Sequence, residues 1–474
     1  MDLPTGLSIP EEDWKQTPFS VQVIIIALMK HITGLEKEMD ELKEQINKNS
    51  QNSSKPPSSD GLRKSSKPKA ESTGRKIGGQ KGHHGHGRKN KSVEYVQRIV
   101  ECKPDSCDQC GALLLGEDPH PQRHQVIEIP EPKVEITEYR LHTLNCMNCG
   151  AQTTGNWPQE MPKGSFGPRV QAMISYLTGR YGLSHRDVAE LMEAGFQIKM
   201  SLGSIPAQEK AVSLALKEPV EEAKMFVQEQ SSINVDETGW HQENKSTWLW
   251  VGATSWVITF LLLTTRSTEG VKKLLGEDFN GILGSDRWNA YNWFNILQRQ
   301  ICWAHLKRDF QALVDRGGES QFIGRMLLKQ TQNLFVHWHR VRDGTLTLAE
   351  FTDQMQTIRN KVRALLEIGI LLDHPSTRKT CAHILKLESA LWTFVARKDV
   401  EPTNNAAERP LRRGVLWRKR CYGTQSEEGS LFVERILTTV MTLRQQKRDV
   451  LEFLTDACRA RNSADHLPSL LPTN

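Results

Sequence analysis

Apolar residues near the N-terminus recur at seven-residue intervals. Two such series run in parallel: Ile25, Ile32, Met39 and Ile46, and Leu28, Leu35 and Leu42. Lysine, aspartate and glutamate fill many of the outer positions, as expected of a coiled coil of about three heptads. Residues 1–50 are therefore predicted to form a helix that pairs with a second copy of the chain. An amphipathic helix that packs on its own protein is the alternative.

The apolar spacing between residues 164 and 226 is typical of helices. Ser184–Met192 has one helical pattern, a break follows near Gly195, and another helix is expected from about Ser201–Ile205 onward. This rhythm resembles a helix-turn-helix, which would help to recognise DNA. A helical hairpin that packs on the following domain fits the pattern equally well.

From residue 227 the pattern changes to short apolar runs that each predict a strand. Within Ser231–Trp240, Asp236 follows a short apolar run. Within Gly281–Trp288, Asp286 follows a similar run. Two more strand patterns and one helix pattern lie between them: Ser246–Ala253, Trp256–Leu263 and Thr268–Leu275. Three antiparallel strands, a helix and a parallel strand would set the two aspartates on neighbouring central strands.

A third acid is expected in the second part of this domain. Thr403 or Asn404 can cap a helix whose first turns carry Glu408 inward and several arginines outward. Adjacent carboxylates repel one another, and divalent cations balance their charge most simply. Magnesium or manganese prefers such oxygen ligands. Asp236, Asp286 and Glu408 are therefore predicted to hold two catalytic ions.

At 474 residues the chain is too long for one ordinary core. Residues 227–310 and 397–460 would form the catalytic core, residues 311–396 a helical insertion, and residues 461–474 a frayed tail. No apolar run reaches the ~20 residues of a membrane span. A cytoplasmic protein without a membrane partner is therefore expected.

Positive charge is concentrated in one segment of a chain whose net charge is +6. Residues 51–92 are rich in serine, proline, glycine, lysine and arginine. Such a segment buries too little apolar surface to fold alone. It is predicted to be a basic linker that binds phosphates without reading sequence. A merely solvated tether is the alternative.

Four of the nine cysteines form two Cys-x-x-Cys knuckles, each followed by a glycine: Cys107 and Cys110, and Cys146 and Cys149. Such tight turns point the thiolates of a knuckle at one tetrahedral ion. Residues 93–163 are therefore predicted to be a zinc ribbon with structural Zn²⁺ and a strand over Val134–Leu141. Unliganded thiols are the alternative, and Cys102 is a spare candidate ligand.

Cys302 and His305 stand in a Cys-x-x-His spacing after the second aspartate. Partners for a zinc site are lacking there, so His305 is expected near the active site, where it positions a phosphate or a loop. Plain packing of Cys302 is the alternative. Basic residues near the acids are natural phosphate contacts. The predicted DNA contacts are Arg287, Lys307, Arg308, Arg409, Arg412, Arg413, Arg418 and Lys419. A solvated helix face is the alternative for those beyond Glu408.

Three segments carry a family resemblance: Asp236–Thr238, Ser285–Tyr291 and Asn404–Arg412. Together they resemble the DDE transposases of the insertion sequence 66 family, and the resemblance covers nearly the whole chain. It implies a multidomain α/β protein with a ribonuclease-H-like catalytic domain in which the three acids are metal ligands. It also suggests accessory proteins encoded by the same element as partners.

These observations predict the transposase of a bacterial insertion sequence. Such an enzyme would cleave DNA at the element ends in a metal-dependent reaction and transfer the exposed 3′ hydroxyl to target DNA. A catalytically inactive, transposase-derived DNA-binding protein is the main rival. A nuclease of the same fold that cuts without joining is a third possibility.

Overall fold

The computed structural model describes residues 10–47, 53–54, 89–158, 161–162, 164–463 and 466–472. The chain divides into two units, Ser66–Ile136 and the remaining residues. The predicted basic linker, residues 51–92, lies almost entirely outside the described residues. The larger unit contains both helices and strands, in agreement with the predicted α/β class.

Two helices, α1 (Glu11–Gln16) and α2 (Phe19–Asn47), begin the described chain. Leu28, Leu35 and Leu42 of α2 each keep more than half of their surface exposed. By length and composition, Phe19–Glu36 could also cross a membrane, and it is the one such segment in the helices that the structure describes. This 18-residue window is interrupted by polar residues, so it does not contradict the expectation that no apolar run reaches the ~20 residues of a membrane span. A single such helix is weak evidence for a span.

Regular structure is sparse around the cysteine knuckles. A 3₁₀ turn covers Val93–Tyr95, and two short strands, β1 (Thr143–Asn145) and β2 (Gln152–Thr154), pair in antiparallel fashion around the second knuckle. The predicted strand over Val134–Leu141 was wrong. Its alternating pattern has no partner strand among the described residues, and a strand needs hydrogen bonds from a neighbour.

Helices precede the main sheet: α3 (Pro168–Tyr176), a π-helical turn (Leu177–Tyr181), α4 (His185–Phe196), α5 (Ser204–Ala215) and α6 (Lys217–Gln228). Ser184 and Asp187 form a reciprocal cap at the start of α4, in which each side chain accepts the other's backbone amide. The left-handed conformation of Gln197 ends the helix. Two helices separated by a short turn are thus confirmed in this region.

A five-stranded sheet contains β3 (Ser232–Gln242), β4 (Lys245–Ala253), β5 (Ile258–Leu263), β6 (Ile282–Ser285) and β7 (Arg299–Ile301), and helix α7 (Thr268–Leu275) joins β5 to β6. The strand order is β5-β4-β3-β6-β7, with β3 to β5 antiparallel and β6 and β7 parallel to β3. The predicted meander, helix and parallel strand are confirmed. Successive residues of a strand point to opposite faces of the sheet. Ile233 of β3 therefore packs in the core on one face, and Leu249 of β4, which pairs with Thr238, packs in the core on the other.

The segment after β7 is helical: α8 (Trp303–Asp315), α9 (Gly318–Arg342), α10 (Leu348–Leu371), α11 (Pro375–Lys386), a 3₁₀ turn (Glu388–Leu391) and α12 (Thr393–Ala396). These helices enclose a core of their own around Phe310, Phe351 and Leu366. Ile301 of β7 and Trp303 of α8 belong to the same core. The helices between the second and third acids are therefore packed against β7, the outermost strand on that side of the sheet.

Three helices complete the larger unit: α13 (Asn405–Cys421), α14 (Glu427–Gln445) and α15 (Val450–Ser463). Along α14, Glu434, Thr438 and Thr442 recur every four residues and share one face. Their side chains accept the backbone N–H groups of Leu262, Phe260 and Ile258. The polar face of α14 thus covers the edge of β5, which would otherwise be open to another strand.

The expectation of a frayed C-terminal tail was wrong. Leu470 is fully buried, its carbonyl accepts a hydrogen bond from Gln446, and the Ser469 carbonyl accepts one from Arg448. Residues 466–472 therefore pack against the body of the unit, since both their apolar side chain and their backbone groups find partners.

Candidate active site

Asp236 and Asp286 lie at the same level of two adjacent parallel strands. The register between β3 and β6 pairs Asn234 with Gly284, and each aspartate is two residues further along. Each carboxylate accepts a nearby backbone amide, at 3.0 Å for Asp236 and 2.8 Å for Asp286. The two side chains are thus anchored side by side at the end of the parallel pairing.

Glu408 approaches this pair from the first turn of α13. The helix comes close to the sheet at Gly414, where a Cβ atom would overlap the side chain of Leu249. Asn404 is the N-cap residue, but its side chain does not cap the helix. The predicted side-chain cap from Thr403 or Asn404 was therefore wrong, because the Asn404 amide group is turned toward the sheet instead.

A belt of hydrogen bonds links the three segments that carry the acids. The backbone N–H of Cys302 donates a hydrogen bond to the Ser285 carbonyl at 2.9 Å. Cys302 Sγ accepts a hydrogen bond from the backbone N–H of Asn404 at 3.1 Å. Asn404 Nδ2 then donates to the Val235 carbonyl at 2.8 Å. Ser285 and Val235 immediately precede the two aspartates, so the belt fixes both strands relative to the start of α13. Sequence reasoning missed this role of Cys302 and Asn404, whose partners are distant along the chain.

The three acids repel one another in a partly dehydrated site. Burial raises the pKa of Asp236 well above its usual range, and the charges of Glu237, Glu408 and Asp286 raise it further. Burial also raises the pKa of Glu408, an effect that Arg308 opposes and Asp286 strengthens. Glu408 Oε1 is buried without a hydrogen-bond partner in the described chain. An all-oxygen set with excess negative charge fits Mg²⁺ or Mn²⁺.

Glu237 is a buried acid that the protein itself neutralises. Arg266 Nε donates to Oε1 at 2.8 Å, and the Tyr291 hydroxyl donates to Oε2 at 2.6 Å. Arg266 lies over the rings of Trp248 and Trp288, with its guanidinium carbon 4.8 Å and 4.1 Å from their centroids. Glu237 therefore joins the internal hydrogen-bond network on the other face of β3, as the alternation of strand residues requires.

His305 lies beside Glu408. Its Nδ1 is 3.4 Å from Glu408 Oε1, yet the two atoms lack hydrogen-bond geometry. Burial, with the charge of Arg308, lowers the pKa of His305 to about 4. The imidazole is therefore neutral at pH 7, and the contact is not an ion pair. Sγ of Cys302 lies within 4.8 Å of the ligand atoms of both residues. Glu408 thus joins the Cys-x-x-His pair in a group of three residues that could hold a metal ion.

A cleft of about 320 Å³ opens at this end of the sheet. It is lined by Asp286, Arg287, Trp288, Asn289, His305, Asp309 and His383. One of the two aspartates and the histidine next to Glu408 therefore face a common space, which the insertion borders through His383.

The predicted DNA-contacting cations fall into two groups. Arg287 pairs with Asp309 at 2.8 Å and contacts His383 at 2.7 Å, while Arg418 donates to the Gly239 carbonyl of β3. Both guanidinium groups are engaged within the protein, so neither offers its full set of donors to a phosphate. The remaining six are exposed or half-buried: Lys307, Arg308, Arg409, Arg412, Arg413 and Lys419.

Arg299 is a further cation near the site, and sequence reasoning missed it. It is almost fully buried and donates to the backbone carbonyl of Asp286 at 3.3 Å. Burial lowers its pKa to about 10, so it stays charged at neutral pH. Nothing in the local sequence distinguishes it from a surface arginine, because its partners come from the fold.

Each cysteine knuckle closes a tight turn. In the first, the Cys107 amide donates to the Ala112 carbonyl and the Gly111 amide to the Cys107 carbonyl, and the second repeats both bonds. Gly111 and Gly150 both have φ of 71°, which favours glycine. Backbone hydrogen bonds lower the pKa of the Cys107 and Cys146 thiols. Both turns therefore favour the thiolate form that binds metal.

Comparison with known families places the chain in a class. Residues 163–431, more than half of the chain, match the family described as "Transposase IS66 family". Residues 104–150, which contain both knuckles, match the "zinc-finger binding domain of transposase IS66". Residues 10–89 match a family of unknown function. The chain is thus a transposase in class, and it belongs to the IS66 family.

A curated relative from Sinorhizobium fredii (strain NBRC 101917 / NGR234) is 24% identical over 422 residues, which cover 79% of this chain and 74% of the relative. It is named "Uncharacterized protein y4hP". The similarity thus extends over most of both chains, but its name assigns no activity.

Proposed function

We propose that this transposase cleaves and joins DNA strands at a three-carboxylate site built on a ribonuclease-H-like fold. The observation that carries the proposal is the convergence of Asp236, Asp286 and Glu408 from β3, the end of β6 and α13, with a mutual repulsion that Arg308 only partly offsets. The strand order, three antiparallel strands followed by two parallel ones, supports the fold assignment.

The three acids would hold a pair of Mg²⁺ or Mn²⁺ ions, which supply charge stabilisation to the attacking and leaving oxygens of an in-line phosphoryl transfer. The protein's own contribution is positioning. The belt through Cys302 and Asn404 keeps both strands and α13 in register. Arg308 provides positive charge beside the acids for a phosphodiester of the element end or of target DNA.

The experiment is a cleavage assay with DNA that carries the ends of the element. Asp236→Asn, Asp286→Asn and Glu408→Gln should each reduce magnesium-dependent cleavage by about 10³-fold or more, because each removes a charge that holds the ions. Glu401→Gln, an exposed acid outside the cluster, is the matched control. Full cleavage by one of the three variants would remove that residue from the site.

The rival function is that of a DNA-binding protein without catalytic activity. No observation favours it specifically, and the same assay separates the two. Cleavage with DNA binding supports an enzyme, whereas binding alone supports the rival. Strand-transfer products distinguish a transposase from a nuclease that only cuts.

We propose that the exposed cations of α8 and α13 and the basic linker bind the DNA backbone. The salt dependence is the slope of the logarithm of the DNA affinity against the logarithm of the salt concentration. Arg412→Ala should reduce the magnitude of this slope by about one, which corresponds to one lost phosphate contact. Arg363→Ala, an exposed arginine paired with Glu367 on α10, should leave this slope unchanged. Equal slopes for all three proteins would remove Arg412 from the interface.

We also propose that residues 104–150 bind structural Zn²⁺ through the knuckle cysteines. The left-handed glycines and the lowered thiol pKa values support this assignment. Elemental analysis should detect zinc in the purified chain and a loss of zinc in Cys107→Ser and in Cys146→Ser. Unchanged zinc content in both variants would contradict it.

The apolar stripe of α2 is proposed to pair with a second copy of the chain in a soluble, cytoplasmic complex. The heptads continue through Leu42 to Ile46, beyond the apolar window and between charged residues, which suits a coiled coil better than a lipid bilayer. Leu28→Lys with Leu35→Lys should yield monomers in sedimentation equilibrium. An unchanged oligomer, or binding of the wild-type chain to phospholipid vesicles, would contradict the pairing. Accessory proteins of the same element remain expected partners on family resemblance.

A further inference from the structure

We propose that Cys302, His305 and Glu408 form a binding site for one transition-metal ion of the Zn²⁺ type, distinct from the proposed magnesium pair but sharing Glu408 with it. The site is built from two elements. Cys302 precedes α8 and His305 lies in its first turn, while Glu408 lies in the first turn of α13. The family comparisons assign no ion to these residues.

The spacing of the three ligand atoms suits such an ion. A tetrahedral zinc ion holds its ligands at about 2.0–2.3 Å, so its ligand atoms lie about 3.3–3.8 Å apart. His305 Nδ1 and Glu408 Oε1 are 3.4 Å apart, and all three ligand atoms lie within 4.8 Å of one another. Because 4.8 Å is the upper limit, a movement of the Cys302 thiol by about 1 Å or less would complete three corners of a tetrahedron.

Unsatisfied polar atoms at this position favour a cation. His305 Nδ1 and Glu408 Oε1 are both buried and have no hydrogen-bond partner among the described residues. A buried imidazole nitrogen and a buried carboxylate oxygen that face each other without a hydrogen bond are unfavourable unless a further polar group or a cation lies between them. A metal ion between the imidazole and the carboxylate would satisfy both atoms at once.

One hydrogen bond favours a thiolate at Cys302, whereas burial of the sulfur opposes it. Its sulfur already accepts the Asn404 amide at 3.1 Å, a bond that favours negative charge on sulfur. Without an ion, burial raises the pKa of this thiol to about 12. Metal binding would therefore form the metal–sulfur bond and release the thiol proton to solvent, without a change of oxidation state.

The donor set selects the type of ion. One sulfur, one nitrogen and one oxygen favour Zn²⁺ or Co²⁺, whereas Mg²⁺ prefers oxygen ligands alone. Because Glu408 is shared, an ion at this site would draw its carboxylate away from the magnesium pair. This consequence rests on the proposed function, whereas the binding of the ion does not.

Reconstitution of the full-length apoprotein with Co²⁺ tests the site directly. The readouts are the number of bound ions and the near-ultraviolet band of thiolate-to-cobalt charge transfer. Cys302→Ser and His305→Gln should each bind one cobalt ion fewer per chain than the wild type. Cys458→Ser, which alters a buried thiol in another core, should bind the wild-type number. Equal cobalt content in Cys302→Ser, His305→Gln and wild type would overturn the proposal.

Two further measurements separate this proposal from the proposed function. Asp286→Asn should lose cleavage but keep the cobalt ion at Cys302, His305 and Glu408, since Asp286 is not a ligand of that ion. In wild type, Mg²⁺ added in large excess should weaken cobalt binding at this site, because both ions need Glu408. If Asp286→Asn cleaved normally while Cys302→Ser still lost its ion, the catalytic assignment would fail and the cobalt site would stand.

Discussion

Two regions of the sheet bury carboxyl groups and treat them in opposite ways. Where the parallel pairing of β3 and β6 ends, Asp236 and Glu408 are crowded with Asp286, and their mutual repulsion is offset only in part. Along the edge of β5, Glu434 accepts the Leu262 amide within a ladder that also uses two threonines. A buried acid with protein partners is part of the fold, whereas a cluster left with excess charge indicates a site for a cation.

Glu237 sharpens this contrast because it adjoins Asp236 in the sequence and faces the other way. Removal of its carboxylate in Glu237→Ala would leave Arg266 and the Tyr291 hydroxyl without their partner. The expected loss is about 3 kcal/mol in the free energy of unfolding, measured by urea titration with tryptophan fluorescence. Tyr291→Phe, which removes only one of the bonds, should cost about 1 kcal/mol. A negligible loss in Glu237→Ala would end the distinction drawn between the two neighbouring acids.

Glu434 predicts a pH dependence that belongs to the structural region. Burial raises its pKa to about 7 from an ordinary value of 4.5. The folded state therefore binds this proton more tightly, so the contribution of Glu434 to stability is largest below about pH 4.5 and falls by about 2–3 kcal/mol as the pH rises to 7.

The measurement for Glu434 is the free energy of unfolding as a function of pH, compared between wild type and Glu434→Gln. The glutamine carbonyl can still accept the Leu262 amide, so the variant should lose this fall in stability while keeping the ladder. An identical pH profile for the two proteins would show that Glu434 does not carry a raised pKa.

Substitution in the acid cluster should change the free energy of unfolding in the opposite direction from substitution of Glu237. In the absence of divalent ions, Asp236→Asn should stabilise the chain by about 1 kcal/mol, because it removes one of the repelling charges and can still accept the amide of Glu237. Thermal unfolding in the presence of a chelator measures this difference, with Glu401→Gln as the control. Destabilisation would mean that the cluster is held together by protein contacts alone.

Local patterns in the sequence predict much of this fold. Short apolar runs identify the strand that contains Asp236 and the strand that ends just before Asp286, and the helix pattern at Thr268–Leu275 matches α7 to the residue. The same reasoning fails at Val134–Leu141, because alternation cannot reveal whether a partner strand exists. It also fails to identify the α14 ladder, whose threonines look like ordinary polar positions until they face an edge strand.

The candidate site is predictable in its acids and unpredictable in its supports. The three acids stand out as carboxylates that end or follow recognisable patterns. Asn404 bonds to Cys302 and Val235, which lie 102 and 169 positions away, so no local signal reports its role or that of the Cys302 sulfur. For Asn404, the favourable capping position suggests a role different from the one its side chain performs.

The most direct test of the acid cluster is the dependence of the thermal midpoint on Mg²⁺ concentration. Wild type should gain stability progressively as Mg²⁺ is added, since the ions bind the folded state and relieve its repulsion. Asp236→Asn, Asp286→Asn and Glu408→Gln should each show little or none of that gain. If all four proteins responded to Mg²⁺ equally, the three carboxylates would not form a metal site.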